Sequence, residues 1–162
     1  MHERLERFID SGGAIPGEEV IRVKTPTNRT SADARIWSAQ QSVTCPGRRR
    51  LDAAREGASG GYEDAGRVPI RLSVLDLGDI ALAGVNAEMY THIALRTRKL
   101  SPLANTLVVT LANGRADTGY NPDDESYSHQ TFQVLGTKLK AGCAESAIAS
   151  GLSGMITQYG RR

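Results

Sequence analysis

The stretch VPIRLSVLDLGDIALAGV, residues 68–85, carries the clearest secondary-structure signal in the chain. Apolar side chains occupy every second position from Val68 to Val74, which is the period of two expected of a half-buried strand. Gly78-Asp79 predicts a tight turn, and the uniformly apolar Ile80–Val85 is typical of a strand inside a sheet. The stretch therefore predicts two strands that follow each other along the chain.

The residues after this stretch predict an alternation of helices and strands. Asn86 is a candidate N-cap for a helix over Ala87–Leu100, which Ser101-Pro102 would end. Thr106–Leu111 predicts a buried strand followed by a loop, and Ala144–Tyr159 predicts a final helix with apolar residues on one face. This order predicts an α/β fold with a mixed sheet and flanking helices.

The N-terminal third gives weaker signals. We predict the last turns of a helix over residues 3–9 and a short helix over Gly17–Lys24. Ile36–Thr44 is rich in β-forming residues and predicts a strand, closed by a turn at Cys45-Pro46-Gly47. The glycine-rich segment Gly57–Gly66 predicts a loop.

Length and charge limit the possible functions. A chain of 162 residues lies within the range of one domain, so we expect residues 1–162 to form a single unit. Its 20 basic residues nearly balance 18 acidic residues, and the formal net charge of +2 gives no strong field for attracting nucleic acid or anionic lipid. We therefore expect no nucleic-acid partner.

Two cysteines and the lack of a long apolar run say little about the compartment. Cys45 and Cys143 are too few for a disulfide scaffold and are wrongly spaced for a zinc knuckle, so we expect both to be buried small residues. No stretch approaches the roughly 18 apolar residues of a membrane span, and the charged start of the chain is unlike a secretion signal. The localisation is not predicted.

Glu88 and Tyr120 follow the carboxyl ends of two predicted strands. Ligand sites in open α/β sheets lie beyond such ends, so both residues belong to one candidate cleft. A structural explanation also exists for each of them, because Glu88 suits the first turn of a helix and Tyr120 suits a packed loop. His92 stands four residues after Glu88, which would put both on one helical face as a surface pair or as metal ligands. Asp123-Asp124-Glu125 predicts the acidic first turn of a helix after Pro122.

Two longer stretches resemble a known enzyme family. RLSVLDLGDIALAGVNAEMYTHIALR (residues 71–96) and LVVTLANGRADTGYNPDDESY (residues 107–127) are similar to the C-terminal part of the catalytic domain of neutral/alkaline, non-lysosomal ceramidases and their bacterial relatives. Those enzymes are zinc amidases that cleave the N-acyl bond of ceramide to release a fatty acid and sphingosine. The resemblance covers roughly residues 66–135 well and the flanks weakly.

The resemblance implies two zinc ligands in this chain. In the family, a strand followed by Gly-x-x-x-Glu and a helix supplies a zinc-ligating glutamate, and the matching residue is Glu88. A later loop supplies a zinc-ligating tyrosine that matches Tyr120, while Asn113 and Tyr127 keep the same frame.

The chain also departs from the family pattern. The other two zinc ligands of the family are histidines that lie upstream of the matched part, and none of the three histidines here stands in such a motif: His2, His92 and His129. Ceramidases carry a tyrosine, thought to steady the oxyanion, at the position of Phe132, and phenylalanine has no hydroxyl. His129, three residues earlier, is a candidate replacement.

The resemblance therefore implies that this chain is part of a larger zinc-dependent amide hydrolase. The implied cofactor is Zn²⁺, and the implied partners are a ceramide-like lipid or other N-acyl substrate and the upstream part of the same domain. Zinc prefers nitrogen or sulfur in its shell, so we expect the isolated chain to bind zinc weakly and to hydrolyse no such substrate measurably. The alternative is a non-catalytic α/β domain that binds a lipid or a protein.

Overall fold

The computed structural model describes residues 16–26, 32–52, 60–114 and 118–160. The chain divides into two units, residues 1–34 and 35–162. In the first unit, residues 16–24 form helix α1, which confirms the short helix predicted over Gly17–Lys24. The helix predicted over residues 3–9 lies outside the described residues.

The second unit is built on a mixed four-stranded sheet. In their order across the sheet, its strands are β1 (Ile36–Arg50), β2 (Tyr62–Leu77), β3 (Ile80–Val85) and β5 (Asn105–Val109). β1, β2 and β3 are antiparallel neighbours, whereas β5 runs parallel to β3. The predicted mixed sheet with flanking helices is confirmed, and β3 has the predicted bounds.

The first two strands are longer than the sequence predicts. β1 does not turn at Cys45-Pro46-Gly47 but continues to Arg50 through a register shift between Cys45 and Gly47. Such a bulge accommodates a proline on an edge strand, because the missing N–H need not join the ladder. A side chain on Gly47 would meet the carbonyl oxygen of Gly66 at 2.2 Å. The predicted loop over Gly57–Gly66 is wrong from Tyr62 onward, since those residues pair with β1.

Helix α4 (Ala144–Gly160) covers one face of this sheet. Its apolar face is the predicted one, with Ile148, Leu152 and Ile156 fully buried. The opposing sheet residues include Leu72, which is also fully buried. Burial of each of these side chains contributes about 1.5–3 kcal/mol to folding.

The opposite face of the sheet combines polar side chains with exposed apolar ones. Alternation along the paired strands puts Leu107 and Val109 of β5 on this outer face, where they are 56% and 42% exposed. Ile36 and Ile80 lie at one end of the same face and are 68% and 37% exposed. A shallow groove of about 500 Å³ crosses this face above Gly84.

The helix predicted from Ala87 begins later, at Thr91, as α2 (Thr91–Leu100). Asn86 is not its N-cap: Asn86 Oδ1 accepts a hydrogen bond from the backbone N–H of Arg71 at 2.9 Å, and its own N–H donates to the Arg71 carbonyl at 3.2 Å. The side chain is therefore occupied with extending the β2 ladder. The predicted end of this helix before Ser101-Pro102 is confirmed.

A disulfide joins Cys45 to Cys143, so the prediction of two unpaired buried cysteines is wrong. The two cysteines are separated by 98 residues in sequence, and their Cα atoms lie 5.7 Å apart. Sequence separation does not hinder such pairing, because the fold brings the β1 bulge next to the residue that precedes α4.

Among the described residues, no helix is long and apolar enough to span a membrane.

Candidate functional site

Glu88 and Tyr120 are directly paired on two short parallel strands. β4 (Glu88–Met89) lies beside β6 (Tyr120–Asn121), with Glu88 opposite Tyr120 and Met89 opposite Asn121. Paired residues of neighbouring strands present their side chains on the same face. The structure thus brings together the two residues that the sequence predicts for one cleft, although Glu88 lies on a strand and not in a helical turn.

These two side chains line a cavity of about 430 Å³. The cavity is rich in carboxylate, imidazole, hydroxyl and amide groups. Its lining residues are Glu88, Met89, Tyr90, Thr91, His92, Tyr120, Asp123, Ser126 and Gln133. Sequence reasoning selected Glu88, His92 and Tyr120 from this set and missed the others as site residues.

Tyr120 packs against the short helix α3 (Phe132–Gly136). The Phe132 ring packs edge-on against the Tyr120 ring, with centroids 5.8 Å apart. A Cβ atom added to Gly136, one helical turn after Phe132, would lie 3.2 Å from Tyr120 Cδ2 and would crowd the ring. Gly119, with φ of +72°, adopts the left-handed turn that leads the chain into β6.

Phe132 and His129 do not supply an oxyanion donor to this cavity. Phe132 acts on Tyr120 through ring packing, and His129 ends the 3-10 helix Glu125–His129 without lining the cavity. Tyr90 is one of the hydroxyl-bearing residues that line the cavity, and its hydroxyl lies 3.1 Å from Thr131 Oγ1. No local sequence pattern marks Tyr90, since its partner comes 41 residues later in the chain.

Tyr127, one of the two residues that keep the family frame, lies beside Arg48 of β1 and not in the cavity. The Arg48 guanidinium stacks between two tyrosine rings, 5.0 Å from the centroid of Tyr127 and 4.0 Å from that of Tyr62. Burial raises the pKa of the Tyr127 phenol above its ordinary value. Tyr127 therefore anchors the 3-10 helix to the β1–β2 hairpin.

His92 faces Asp123 instead of Glu88. The predicted shared helical face is wrong because Glu88 precedes α2 and lies on β4. His92 Nδ1 lies 3.1 Å from Oδ2 of Asp123, which is only 5% exposed. The other oxygen, Oδ1, accepts a hydrogen bond from the Ser126 N–H at 2.9 Å. The predicted acidic helical turn is confirmed only in part: Glu125 begins a 3-10 helix and Asp124 is its N-cap, whereas Asp123 precedes the helix and lines the cavity.

Glu145 of α4 holds the segment that carries Asp123. Glu145 Oε2 accepts a hydrogen bond from the Asp124 N–H at 3.1 Å, and Oε1 accepts one from Arg96 Nη1 at 2.8 Å. The backbone N–H and the guanidinium both favour the ionised carboxylate and lower the pKa of Glu145. Helices α2 and α4 are therefore tied to the wall of the cavity.

The donor atoms of Glu88 and Tyr120 fit part of a zinc site. A carboxylate and a phenol oxygen are hard ligands, whereas a hydrolytic zinc site holds at least three protein ligands and prefers nitrogen or sulfur among them. Across residues 16–26, 32–52, 60–114 and 118–160, no three His, Cys, Asp or Glu side chains cluster closely enough to hold a metal. Glu88 and Tyr120 would therefore form an incomplete shell.

A solved structure is similar to part of this chain. Neither a protein-family model nor a curated protein sequence matches the chain. A solved chain described as "Ceramidase complexed with C2" aligns with a TM-score of 0.46 at 19% sequence identity. The alignment covers 57% of this chain and 15% of the ceramidase chain, so this chain matches only a small share of that protein's length.

Proposed function

We propose that this chain contributes Glu88 and Tyr120 to the zinc site of an amide hydrolase that resembles neutral ceramidase. The observation that carries the proposal is the pairing of Glu88 with Tyr120 on β4 and β6, with both side chains on the wall of one cavity. Two residues 32 positions apart in sequence, both implied by the family motifs, thereby share one site.

Zinc would supply the hydrolytic chemistry when bound. The metal polarises a carbonyl and lowers the pKa of a bound water to about 7, which provides a nucleophile at neutral pH. Glu88 and Tyr120 would each contribute one oxygen, and the nitrogen ligands would come from the upstream part of the same domain. The substrate class, an N-acyl sphingosine or a related N-acyl amine, rests on the sequence resemblance.

Zinc titration of the isolated chain tests the ligand assignment. We expect weak binding that leaves well under one equivalent of zinc after dialysis, because two oxygen ligands hold the ion poorly. Glu88→Gln and Tyr120→Phe should each abolish this residual binding. Glu125→Gln, which changes a carboxylate outside the cavity lining, is the matched control and should bind like the wild type. Equal binding by the wild type and by both cavity variants would refute the proposal.

Hydrolysis is tested by completing the site. Fusion of the chain to an upstream segment that carries a His-x-His motif should produce cleavage of a fluorescent N-acyl sphingosine. Glu88→Ala should then abolish cleavage while circular dichroism remains unchanged. Activity that survives this substitution would remove Glu88 from the reaction.

The alternative function, a non-catalytic domain that binds a lipid or a protein, is favoured by the exposed outer face of the sheet. Leu107 is 56% exposed and Val109 42% exposed there, and exposed apolar surface is a feature of binding sites for lipids and proteins. If this face binds an apolar ligand, Leu107→Ser should reduce the fluorescence of a bound hydrophobic dye, and Glu88→Gln should leave it unchanged. The two functions are therefore separable in one set of variants.

A further inference from the structure

The cavity contains a charged pair that the zinc proposal does not use. Asp123 is 5% exposed, and its carboxylate is placed by the Ser126 N–H on one oxygen and by His92 on the other. The His92 side chain is 69% exposed and lines the cavity. A buried carboxylate thus lies against one nitrogen of an accessible imidazole.

This arrangement determines which nitrogen of His92 is available. A carboxylate only accepts hydrogen bonds, so a contact of 3.1 Å between Asp123 Oδ2 and Nδ1 favours the neutral tautomer with the proton on Nδ1. The lone pair then resides on Nε2, the ring nitrogen that is left for a ligand. An imidazole oriented in this way by a carboxylate is a usual proton acceptor in hydrolytic sites.

We propose that His92 is a proton-transfer residue of this cavity and that Asp123 is its positioning residue, with carbonyl esters and amides as the substrate class. The inference goes beyond the zinc assignment and does not depend on metal. It rests on the contact between His92 and Asp123, on the burial of Asp123 and on the place of both residues in one cavity.

The reaction step is a balanced hydrolysis. The oxygen of a water molecule bonds to the acyl carbon while His92 Nε2 takes a proton from that water. The bond from the acyl carbon to the leaving oxygen or nitrogen then breaks, and the imidazolium returns its proton to the leaving atom. The products are a carboxylic acid and an alcohol or amine, and His92 is restored.

An activated ester tests this step in the whole chain without metal. Hydrolysis of 4-nitrophenyl acetate is measured with excess chelator, which separates the result from any zinc chemistry. We expect His92→Gln to lower the rate roughly tenfold, well below the 10²–10⁴-fold effect of general bases in evolved enzymes. His129→Gln is the matched control because His129 is exposed, lies outside the cavity lining and should not change the rate.

Asp123→Asn tests the positioning role. Asparagine keeps an oxygen for the Ser126 N–H, so the 3-10 helix should persist, but its amide would favour the opposite tautomer with the proton on Nε2. We expect a loss of rate close to that of His92→Gln, together with a change of the His92 tautomer in ¹⁵N-resolved NMR spectra. A purely structural Asp123 would leave the tautomer unchanged.

Three results would overturn the proposal. The first is a His92→Gln variant that hydrolyses the ester as fast as the wild type. The second is a His129→Gln variant that loses as much rate as His92→Gln. The third is an Asp123→Asn variant that keeps the full rate, which would show that Asp123 does not position His92 for the reaction. Equal zinc binding by the wild type and by the Glu88 and Tyr120 variants, which would refute the zinc proposal, would affect none of these comparisons.

Discussion

Cys45 in the bulge of β1 and Cys143 directly before α4 are joined by a disulfide that closes a loop across most of the sheet. The bond ties the hairpin β1–β2 to the helix that covers its inner face. In the chain-entropy description, a closed loop of this length removes about 4–5 kcal/mol of unfolded-state entropy. Disulfides of this kind persist in oxidising compartments.

Loss of this disulfide should therefore lower stability strongly. We expect Cys45→Ala/Cys143→Ala to melt roughly 10–20 °C below the oxidised wild type in calorimetry. Each single variant should lose about as much as the double variant, because either substitution removes the bond. A double variant that melts within about 2 °C of the oxidised protein would show that the bond does not constrain the fold.

Two glycines of α4 should respond in opposite ways to alanine. A Cβ atom on Gly151 would lie 2.5 Å from Cδ1 of the fully buried Leu72, whereas Gly154 is exposed with nothing within 4 Å. We expect Gly151→Ala to destabilise the protein by about 1–3 kcal/mol through overpacking. Gly154→Ala should stabilise it by about 0.5–1 kcal/mol through helix propensity. Urea titration measures both, and equal effects would contradict this account of the helix–sheet contact.

Local patterns predict much of this core but little of the site. Alternation from Val68 to Val74 and the apolar face of α4 report burial directly, so the hairpin and the last helix were predictable. Asn86 matches the N-cap pattern, yet its side chain pairs with Arg71, and the next residues pair with β6. Both partners are distant in sequence, and therefore no local pattern could show that the helix begins at Thr91.

The same limit applies to the cavity. The resemblance implied Glu88 and Tyr120 as ligands, and we expected both in one cleft because each follows the carboxyl end of a predicted strand. The contact between His92 and Asp123 and the disulfide depend on how the segment after β6 folds back over α2 and α4. Spacing suggested Glu88 as the neighbour of His92, and tertiary structure replaced it with Asp123.

A substitution at Gly136 would move the Tyr120 ring without replacing any residue that lines the cavity. Alanine at this position would place its Cβ atom 3.2 Å from Cδ2 and 3.4 Å from Cε2 of the ring. The tyrosine must yield, since carbon contacts are optimal at about 3.5–4.0 Å. We expect Gly136→Ala to shift the Tyr120 ring resonances in NMR spectra and to change stability by less than about 1 kcal/mol, because the gain in helix propensity offsets the crowding. Gly154→Ala is the control, and unchanged Tyr120 resonances in Gly136→Ala would contradict the packing.

Asp76 of β2 should make stability depend on pH. It is fully buried on the inner face, and neither carboxyl oxygen has a hydrogen-bond partner within the part of the chain that the structure describes. Burial raises its pKa above the ordinary value, which is about 3.9 in an unfolded chain. The ionised form therefore destabilises the native state at neutral pH, and this penalty disappears as the pH falls toward the unfolded-state pKa.

Asp76→Asn isolates the charge because it keeps the shape of the side chain. We expect the variant to be more stable than the wild type at pH 7, because a neutral amide costs less to bury than an ionised carboxylate. The difference should narrow as the pH is lowered, because the raised pKa lets Asp76 of the folded wild type take up a proton before the unfolded chain does. Urea titrations at pH 7, 5.5 and 4 measure it, and Asp79→Asn, at an exposed position in the adjacent turn, should stay within about 0.5 kcal/mol of the wild type throughout. If Asp76→Asn gains nothing at pH 7, or if its advantage persists at pH 4, the carboxylate is solvated and the burial argument fails.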